Sequence, residues 1–159
     1  MKILFDGQVP KDLSYPDANE DAAAFAEEKN RIAISDGASE SFDSKTWAHL
    51  LATRYVELPE LDLQWLDDSI NKYLAKFDIS TMSWAKEASF ERGSFSSLLG
   101  VKQPEEGDSI EILAVGDSIA ILLDGEELID SFPYKRSKEF QQRPRSEEHT
   151  SELQSRQSI

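Results

Sequence analysis

The chain contains no cysteine and only two histidines, His49 and His149. The lack of cysteine excludes a disulfide framework, a thiolate metal site and a cysteine nucleophile. With only two histidines, histidine-based zinc sites and serine–histidine–aspartate triads are close to excluded. His49 stands beside Leu50 and Leu51 in a stretch with helical spacing, where a structural role is the better interpretation. Any chemistry therefore rests on other side chains, and carboxylates are the abundant ones.

Basic residues are also scarce, since 17 lysines and arginines stand against 31 aspartates and glutamates, for a formal net charge of −14. This charge argues against nucleic acid or an anionic membrane as a partner. No apolar run approaches the roughly 18 residues of a membrane span, and the apolar start, MKILF, is too short for a signal-peptide core. We expect a cytoplasmic protein whose surplus carboxylates can supply oxygen ligands to hard cations.

The last fifteen residues, 145–159, contain two apolar side chains and show no periodicity. They predict a disordered tail, and RSEEHTSELQS resembles the translation of a sequencing adapter. We interpret the tail as an artefact and exclude it from the fold prediction. With 28 acidic and 15 basic residues, the remaining 1–144 still carry a formal charge of −13, so the acidity does not come from the tail.

The order of predicted elements indicates an α+β fold with antiparallel strands. DAAAFAEEKNRIAISDG predicts two short strands joined by a polar turn at Glu28 to Asn30. Helices follow, and then four strands in SFSSLLGVKQ, DSIEILAVGD, SIAILLDGE and ELIDSFP. PEEG joins the first two of these, and Asp124-Gly125 fits a tight hairpin turn. Two strands, two or three helices and a four-strand meander are typical of an antiparallel α+β domain, here over residues 1–144.

Capping and periodicity define the predicted helices. The first is capped by Asp43 or Ser44 and is stopped by Pro59, and TMSWAKEASFERG predicts a third helix ended by Gly93. The apolar faces are Trp47, Leu50, Leu51 and Tyr55 in the first helix, and Leu66, Ile70, Tyr73, Leu74 and Phe77 in the second.

Asp-Gly occurs three times, and Asp36-Gly37 is the pair that indicates chemistry. Asp36 follows the predicted strand RIAIS, so the sheet would hold it rigidly, and Gly37 lets its own carbonyl approach a ligand without a Cβ in the way. An aspartate oxygen and an adjacent carbonyl form a partial shell for Mg²⁺ or Mn²⁺. The hairpin would bring Glu20 and Asp21 to the same end. A turn with exposed acids is the alternative interpretation.

The other two Asp-Gly pairs predict no site. Asp124-Gly125 is the hairpin turn. Asp6-Gly7 faintly resembles the aspartyl-phosphatase loop of the haloacid-dehalogenase family, but Gln8 stands where that loop requires a second aspartate.

Four segments occur in order over residues 19–125, namely NEDAAAF, RIAISDGASESFDSKTWA, GSFSSLLGV and LAVGDSIAILLDGE. Together they resemble the type 2C family of metal-dependent protein phosphatases, which carries N-[EQ]-D-A, V-x-D-G, G-S-[ST] and G-D-S-[RC] motifs in that order. DGASES resembles the bacterial branch of this PPM-type family. The resemblance implies an antiparallel β-sandwich flanked by helices on both outer faces, an αββα arrangement. It also implies hydrolysis of phosphoserine and phosphothreonine in protein substrates with Mn²⁺ or Mg²⁺.

By this resemblance, Asp36 would bridge two metal ions and the Gly37 carbonyl would bind one of them. Glu20 and Asp21 would act largely through metal-bound waters. Asp117 matches an aspartate linked to a third metal in some members, and its alternative is a turn residue between two strands. Two metals about 3.5–4 Å apart activate a bridging water for in-line attack on phosphorus, so no covalent nucleophile is required.

The chain departs from the family pattern in two ways. The segment LSYPDANED lacks the arginine that many members place before the acidic pair to hold the substrate phosphate. The remaining metal aspartates of the family lie beyond the GDS strand, so the resemblance implies a truncated and inactive fragment. A catalytically dead relative that acts as a binding or regulatory module is one alternative. A carboxylate-rich domain without a metal is the other.

Overall fold

A computed structural model describes residues 1–10, 12–105, 109–141 and 157–158. Its helices are α1 (Ser44–Glu57), α2 (Leu63–Leu74) and α3 (Trp84–Arg92). Its strands are β1 (Ala22–Ala26), β2 (Arg31–Ser35), β3 (Leu98–Lys102), β4 (Glu111–Val115), β5 (Ala120–Asp124), β6 (Glu127–Phe132) and β7 (Gln157–Ser158). The α+β class with antiparallel strands is confirmed. None of the helical segments that the structure describes is long and apolar enough to cross a membrane.

The strands form two antiparallel sheets, one in the order β1-β2-β3-β4-β7 and one made of β5 and β6. The predicted β1–β2 hairpin is confirmed, with Ala24 opposite Ala33 and Asn30 in the left-handed region of its turn. The predicted four-strand meander is wrong at one junction, because β4 and β5 lie in different sheets. Gly116, at φ +93°, turns the chain out of the larger sheet at that point.

Two predicted segments fall partly outside the described residues. The connection between β3 and β4 includes residues 106–108, which lie outside them. Within the predicted disordered tail, 145–159, only β7 is described, and it pairs with β4 so that Ile112 stands opposite Gln157.

Strand alternation divides the core between the two faces of the larger sheet. On β3, Leu98 packs with the helix-side core and Leu99 packs with the hairpin-side core. The helix-side core also contains Ala33, Ala48, Leu51, Ala52, Tyr55, Val56, Trp65 and Leu113. The hairpin-side core contains Ile112, Ala114 and Phe132, with Val101 and Ala120 packed against it. The described residues therefore form three layers, of helices, sheet and β5–β6 hairpin.

Helix α1 begins and ends as its sequence predicts. The Asp43 carboxylate accepts a hydrogen bond from the Thr46 amide at 3.3 Å, which confirms it as the N-cap. Leu51 and Tyr55 are buried as predicted, whereas Trp47 and Leu50 are only half-buried. The most deeply buried positions of the helix include Ala48 and Ala52, whose small side chains let α1 lie close to the sheet.

The predicted apolar face of α2 is confirmed at Tyr73, half-buried at Leu66 and Phe77, and wrong at Ile70 and Leu74. Ile70 and Leu74 are 38% and 43% exposed, whereas Trp65, Ser69 and Tyr73 are buried. The buried face of α2 follows Trp65 and Tyr73, because the polar atom of each of these side chains reaches a backbone carbonyl. The Trp65 indole N–H donates to the Leu58 carbonyl at 2.9 Å, and the Tyr73 hydroxyl donates to the Phe42 carbonyl at 2.8 Å. These bonds satisfy buried donors that a purely apolar face would leave unpaired.

An aromatic cluster joins the ends of the three helices. Phe42 meets the rings of Phe77 and Phe90 edge-on at 5.0 and 5.2 Å between centroids. Tyr73 contacts Phe77 in the same way at 4.9 Å. Helix α3 ends at the predicted Gly93, which has φ +86°.

We predict that the stability difference between the wild type and Tyr73→Phe narrows above pH 10. Burial raises the pKa of Tyr73 above its ordinary 10.0, and the Asp43 carboxylate adds to the shift. The folded chain therefore holds the phenol proton more tightly than the unfolded chain. This contribution is complete below pH 10 and is lost as pH rises through the folded-state pKa.

At pH 8 the variant should be about 1 kcal/mol less stable because it lacks the hydrogen bond to Phe42. Urea unfolding at pH 8, 10 and 11 measures the difference. A difference that stays constant across this range would contradict the prediction.

Candidate metal centre

Three of the acids singled out from the sequence line one cavity. The cavity has a volume of about 470 Å³ and lies where β2 ends, against the start of β1 and the turn after β4. Asp21, Asp36 and Asp117 contribute to its wall, together with residues 6–9 of the N-terminal segment. Side chains from four separate parts of the chain thus meet at one end of the sheet.

Hydrogen bonds fix the backbone of Asp36 at both its amide and its carbonyl. Its amide donates to Ser97 Oγ at 3.1 Å, and its carbonyl accepts from the Ser97 amide at 2.9 Å and from Ser96 Oγ at 2.7 Å. The residue itself is exposed. The sheet end therefore presents the Asp36 carboxylate at the cavity from an anchored backbone, as its position after a strand predicts.

Glu20 and Gly37 lie beside a smaller cavity that adjoins the first. This cavity, of about 30 Å³, is lined by Glu20, Asp21, Asp36 and Gly37, among others. The Glu20 carboxylate accepts a hydrogen bond from Ser44 Oγ at 3.0 Å, which ties it to the first turn of α1. A Cβ on Gly37 would lie 2.6 Å from the Glu20 carbonyl oxygen, so only glycine permits this approach.

The donor chemistry of this site fits a hard divalent cation, because all the side chains in question offer carboxylate oxygens. Convergence is incomplete, however. Within residues 1–10, 12–105, 109–141 and 157–158, no group of three histidine, aspartate or glutamate side chains lies close enough to hold one metal ion. The predicted meeting of Glu20, Asp21 and Asp36 thus holds for the cavity wall and does not extend to a single coordination sphere.

Asp117 lies in the turn between β4 and β5, directly after Gly116. Tyr134 supports this turn by donating its hydroxyl to the Gly116 carbonyl at 2.8 Å. Burial raises the pKa of Tyr134, and the Asp117 carboxylate raises it further. Asp117 is therefore both a turn residue and a residue of the cavity wall.

Asp6 is the cavity residue that the sequence did not predict. Its local motif argued against a site, yet Asp6 and Gln8 both line the larger cavity. Asn19 Nδ2 donates to Gln8 Oε1 at 3.0 Å and so holds the N-terminal segment beside the segment that carries Glu20 and Asp21. The Asp-Gly pair after an apolar run was the only available signal, and it does not reveal which distant residues the segment meets.

Comparison with known proteins adds no relative to this description. The chain matches no protein-family model, no curated protein and no solved structure. The four ordered motifs and the geometry above are therefore the whole basis for a functional proposal.

Proposed function

We propose that this chain carries part of the site of a metal-dependent protein serine/threonine phosphatase of type 2C, with that family's αββα fold. The observation that carries the proposal is the larger cavity. Asp21, Asp36 and Asp117 come from three of the four motifs that resemble the family, and all three line it. The helix, sheet and hairpin layers are compatible with three of the four layers of such a fold.

In this proposal, some residues of the chain would bind Mn²⁺ or Mg²⁺ directly and others would bind through water. Asp36 and the Gly37 carbonyl would be direct ligands at the anchored end of β2. Glu20 and Asp21 would act through waters, and Asp117 would serve a third ion. The bound ions would lower the pKa of a coordinated water and offset negative charge on the phosphoryl oxygens.

Electrostatics favours a cation in this cavity if the substrate is a phosphate ester. Four carboxyl side chains, Asp6, Asp21, Asp36 and Asp117, line the cavity, and the whole chain has a formal net charge of −14. A phosphorylated protein approaching these carboxylates alone would be repelled. The segment before Glu20 and Asp21 has no arginine to offset this repulsion, so a divalent cation is the component that would make phosphate binding favourable.

A non-catalytic, phosphatase-like binding or regulatory module is the second candidate. The observation that favours it is the incomplete convergence, since fewer than three acidic side chains share any one position within the described part of the chain. Such a module would bind a phosphoprotein or another partner through the same surface without hydrolysis.

Calorimetric titration with Mn²⁺ and Mg²⁺, followed by hydrolysis assays on an aryl phosphate and a phosphothreonine peptide, tests both candidates. Asp36→Asn removes the central carboxylate, and Glu126→Gln is the matched control in the β5–β6 turn, outside both cavity walls. Metal-dependent hydrolysis that Asp36→Asn abolishes and Glu126→Gln preserves supports the phosphatase. Metal binding without hydrolysis is expected both of a chain that carries only part of the phosphatase site and of the non-catalytic module, and a chain that binds neither ion contradicts the proposed metal centre.

A further inference from the structure

Ser97, one residue before β3, holds the end of β2 through three hydrogen bonds. Its amide donates to the Asp36 carbonyl at 2.9 Å, and its carbonyl accepts from Ser35 Oγ at 2.6 Å. Its hydroxyl oxygen accepts from the Asp36 amide at 3.1 Å. Ser97 is only 7% exposed, so these bonds form in a largely dry environment. The position of Asp36 therefore depends on Ser97.

The same side chain also meets the turn that carries Asp117. Ser97 Oγ lies 2.9 Å from Ser118 Oγ, and Ser118 lines the larger cavity beside Asp117. A Cβ on Gly116 would lie 2.8 Å from Ser97 Cβ, so the turn packs directly against this serine. Ser97 thus contacts two acid-bearing segments that are far apart in the sequence.

Ser97 Oγ takes part in both contacts. The Asp36 amide can only donate, so Ser97 Oγ accepts from it. In the contact between Ser97 Oγ and Ser118 Oγ either hydroxyl can be the donor, and the contact gives the largely buried Ser97 hydroxyl a second partner. A single chain of hydrogen bonds therefore runs from the Asp36 backbone to the side chain that follows Asp117.

We propose that Ser97 is a positioning residue that fixes the Asp36 and Asp117 segments relative to each other for cation binding. It acts through Asp36 and Ser118, without being a metal ligand itself. This inference rests on the proposed function, because a cation shared by the cavity acids is what the arrangement would serve. Loss of the Ser97 hydroxyl would remove no carboxylate, but the distance between the Asp36 and Asp117 segments would no longer be fixed.

Mn²⁺ affinity and the electron paramagnetic resonance spectrum of bound Mn²⁺ test the proposal in the whole chain. Ser97→Ala should weaken Mn²⁺ binding about tenfold, the scale on which groups that orient metal ligands act. It should also change the spectrum at saturating Mn²⁺, because the ligand geometry changes. Ser69→Ala is the matched control, since it removes a fully buried serine hydroxyl from α2, away from the cavity. Ser69→Ala should change neither the Mn²⁺ affinity nor the spectrum, although both variants should lose some thermal stability.

A double-mutant cycle with Ser118→Ala makes the test specific to the hydrogen-bond chain. If Ser97 acts through Ser118, the double variant should bind Mn²⁺ nearly as well as Ser97→Ala alone, since the second substitution breaks a link that is already broken. Additive losses would overturn the proposal, and Ser118→Ala gives an independent value if Ser97→Ala does not fold.

The outcomes separate the two proposals. Unchanged Mn²⁺ affinity and spectrum in Ser97→Ala, with a wild type that binds Mn²⁺, would overturn the role of Ser97 alone. A wild type that binds no Mn²⁺ would overturn the proposed function and this inference together.

Discussion

Replacing Gly100 with valine is expected to lower the free energy of unfolding by about 3 kcal/mol or more, the upper end of the cost of overpacking. Gly100 lies in the middle of β3, opposite Ala33 on β2 and Leu113 on β4. A Cβ at this position would lie 2.2 Å from Tyr55 Cζ. Tyr55 belongs to α1 and is only 2% exposed in the core between the helix and the sheet, so its ring has no open space to move into. A loss of this size is a large fraction of the 5–15 kcal/mol that stabilises an ordinary domain.

Urea unfolding followed by circular dichroism measures the effect. Gly7→Val is the matched control, because a Cβ there would meet only the ring of Phe5, which is exposed and can move. The control should change stability by no more than about 0.5 kcal/mol. Equal stability of Gly100→Val and the wild type would mean that α1 does not pack against β3 as described.

The sequence predicted the elements better than it predicted their packing. Local chemistry determines where α1 begins and where α3 ends, because an aspartate that caps a helix and a glycine that ends one act within a few residues. The face of α2 depends instead on carbonyls outside the helix, those of Leu58 and Phe42, which accept from Trp65 and Tyr73. Hydrophobic periodicity alone contains no information about those acceptors.

In the sheets, too, the strands were predicted better than the way in which they pack. The two strands on either side of Gly116 have similar apolar patterns, so the sequence predicted that they pair. Whether a turn continues one sheet or starts another depends on which faces are covered, and here Phe132 and Ala120 pack on the face of the larger sheet. This is a property of the assembled layers.

The site could be predicted to the extent that it depends on one hairpin. Pairing of β1 with β2 brings Asp21 near Asp36, and antiparallel register makes this a local inference. Asp117 was predicted from the family motif that contains it, whereas its place at the cavity depends on the turn that packs against Ser97. Asp6 was missed because its position depends on the path of an N-terminal segment with no regular structure.

Asp36→Ala is expected to reduce Mn²⁺ affinity at least a hundredfold while leaving the metal-free protein folded. Asp21 and Asp36 are the two predicted site carboxylates that line both cavities. The backbone of Asp36 is also anchored by Ser96 and Ser97. Asp36 is the residue that the family resemblance assigns to two ions. Because the residue is exposed, its truncation should change the metal-free unfolding free energy by only about 0.5 kcal/mol.

Thermal unfolding with and without Mn²⁺ distinguishes a loss of Mn²⁺ affinity from a loss of metal-free stability in one assay. A ligand that binds only the folded state raises the melting temperature as its concentration exceeds the dissociation constant. The wild type should therefore gain stability as Mn²⁺ increases, and Asp36→Ala should not, although the two melt at similar temperatures without metal. Asp6→Ala is the comparison for a carboxylate that lines the larger cavity alone, and it should retain most of the gain. If Asp36→Ala gained as much as the wild type, the ion would be bound elsewhere and Asp36 would be an exposed turn residue.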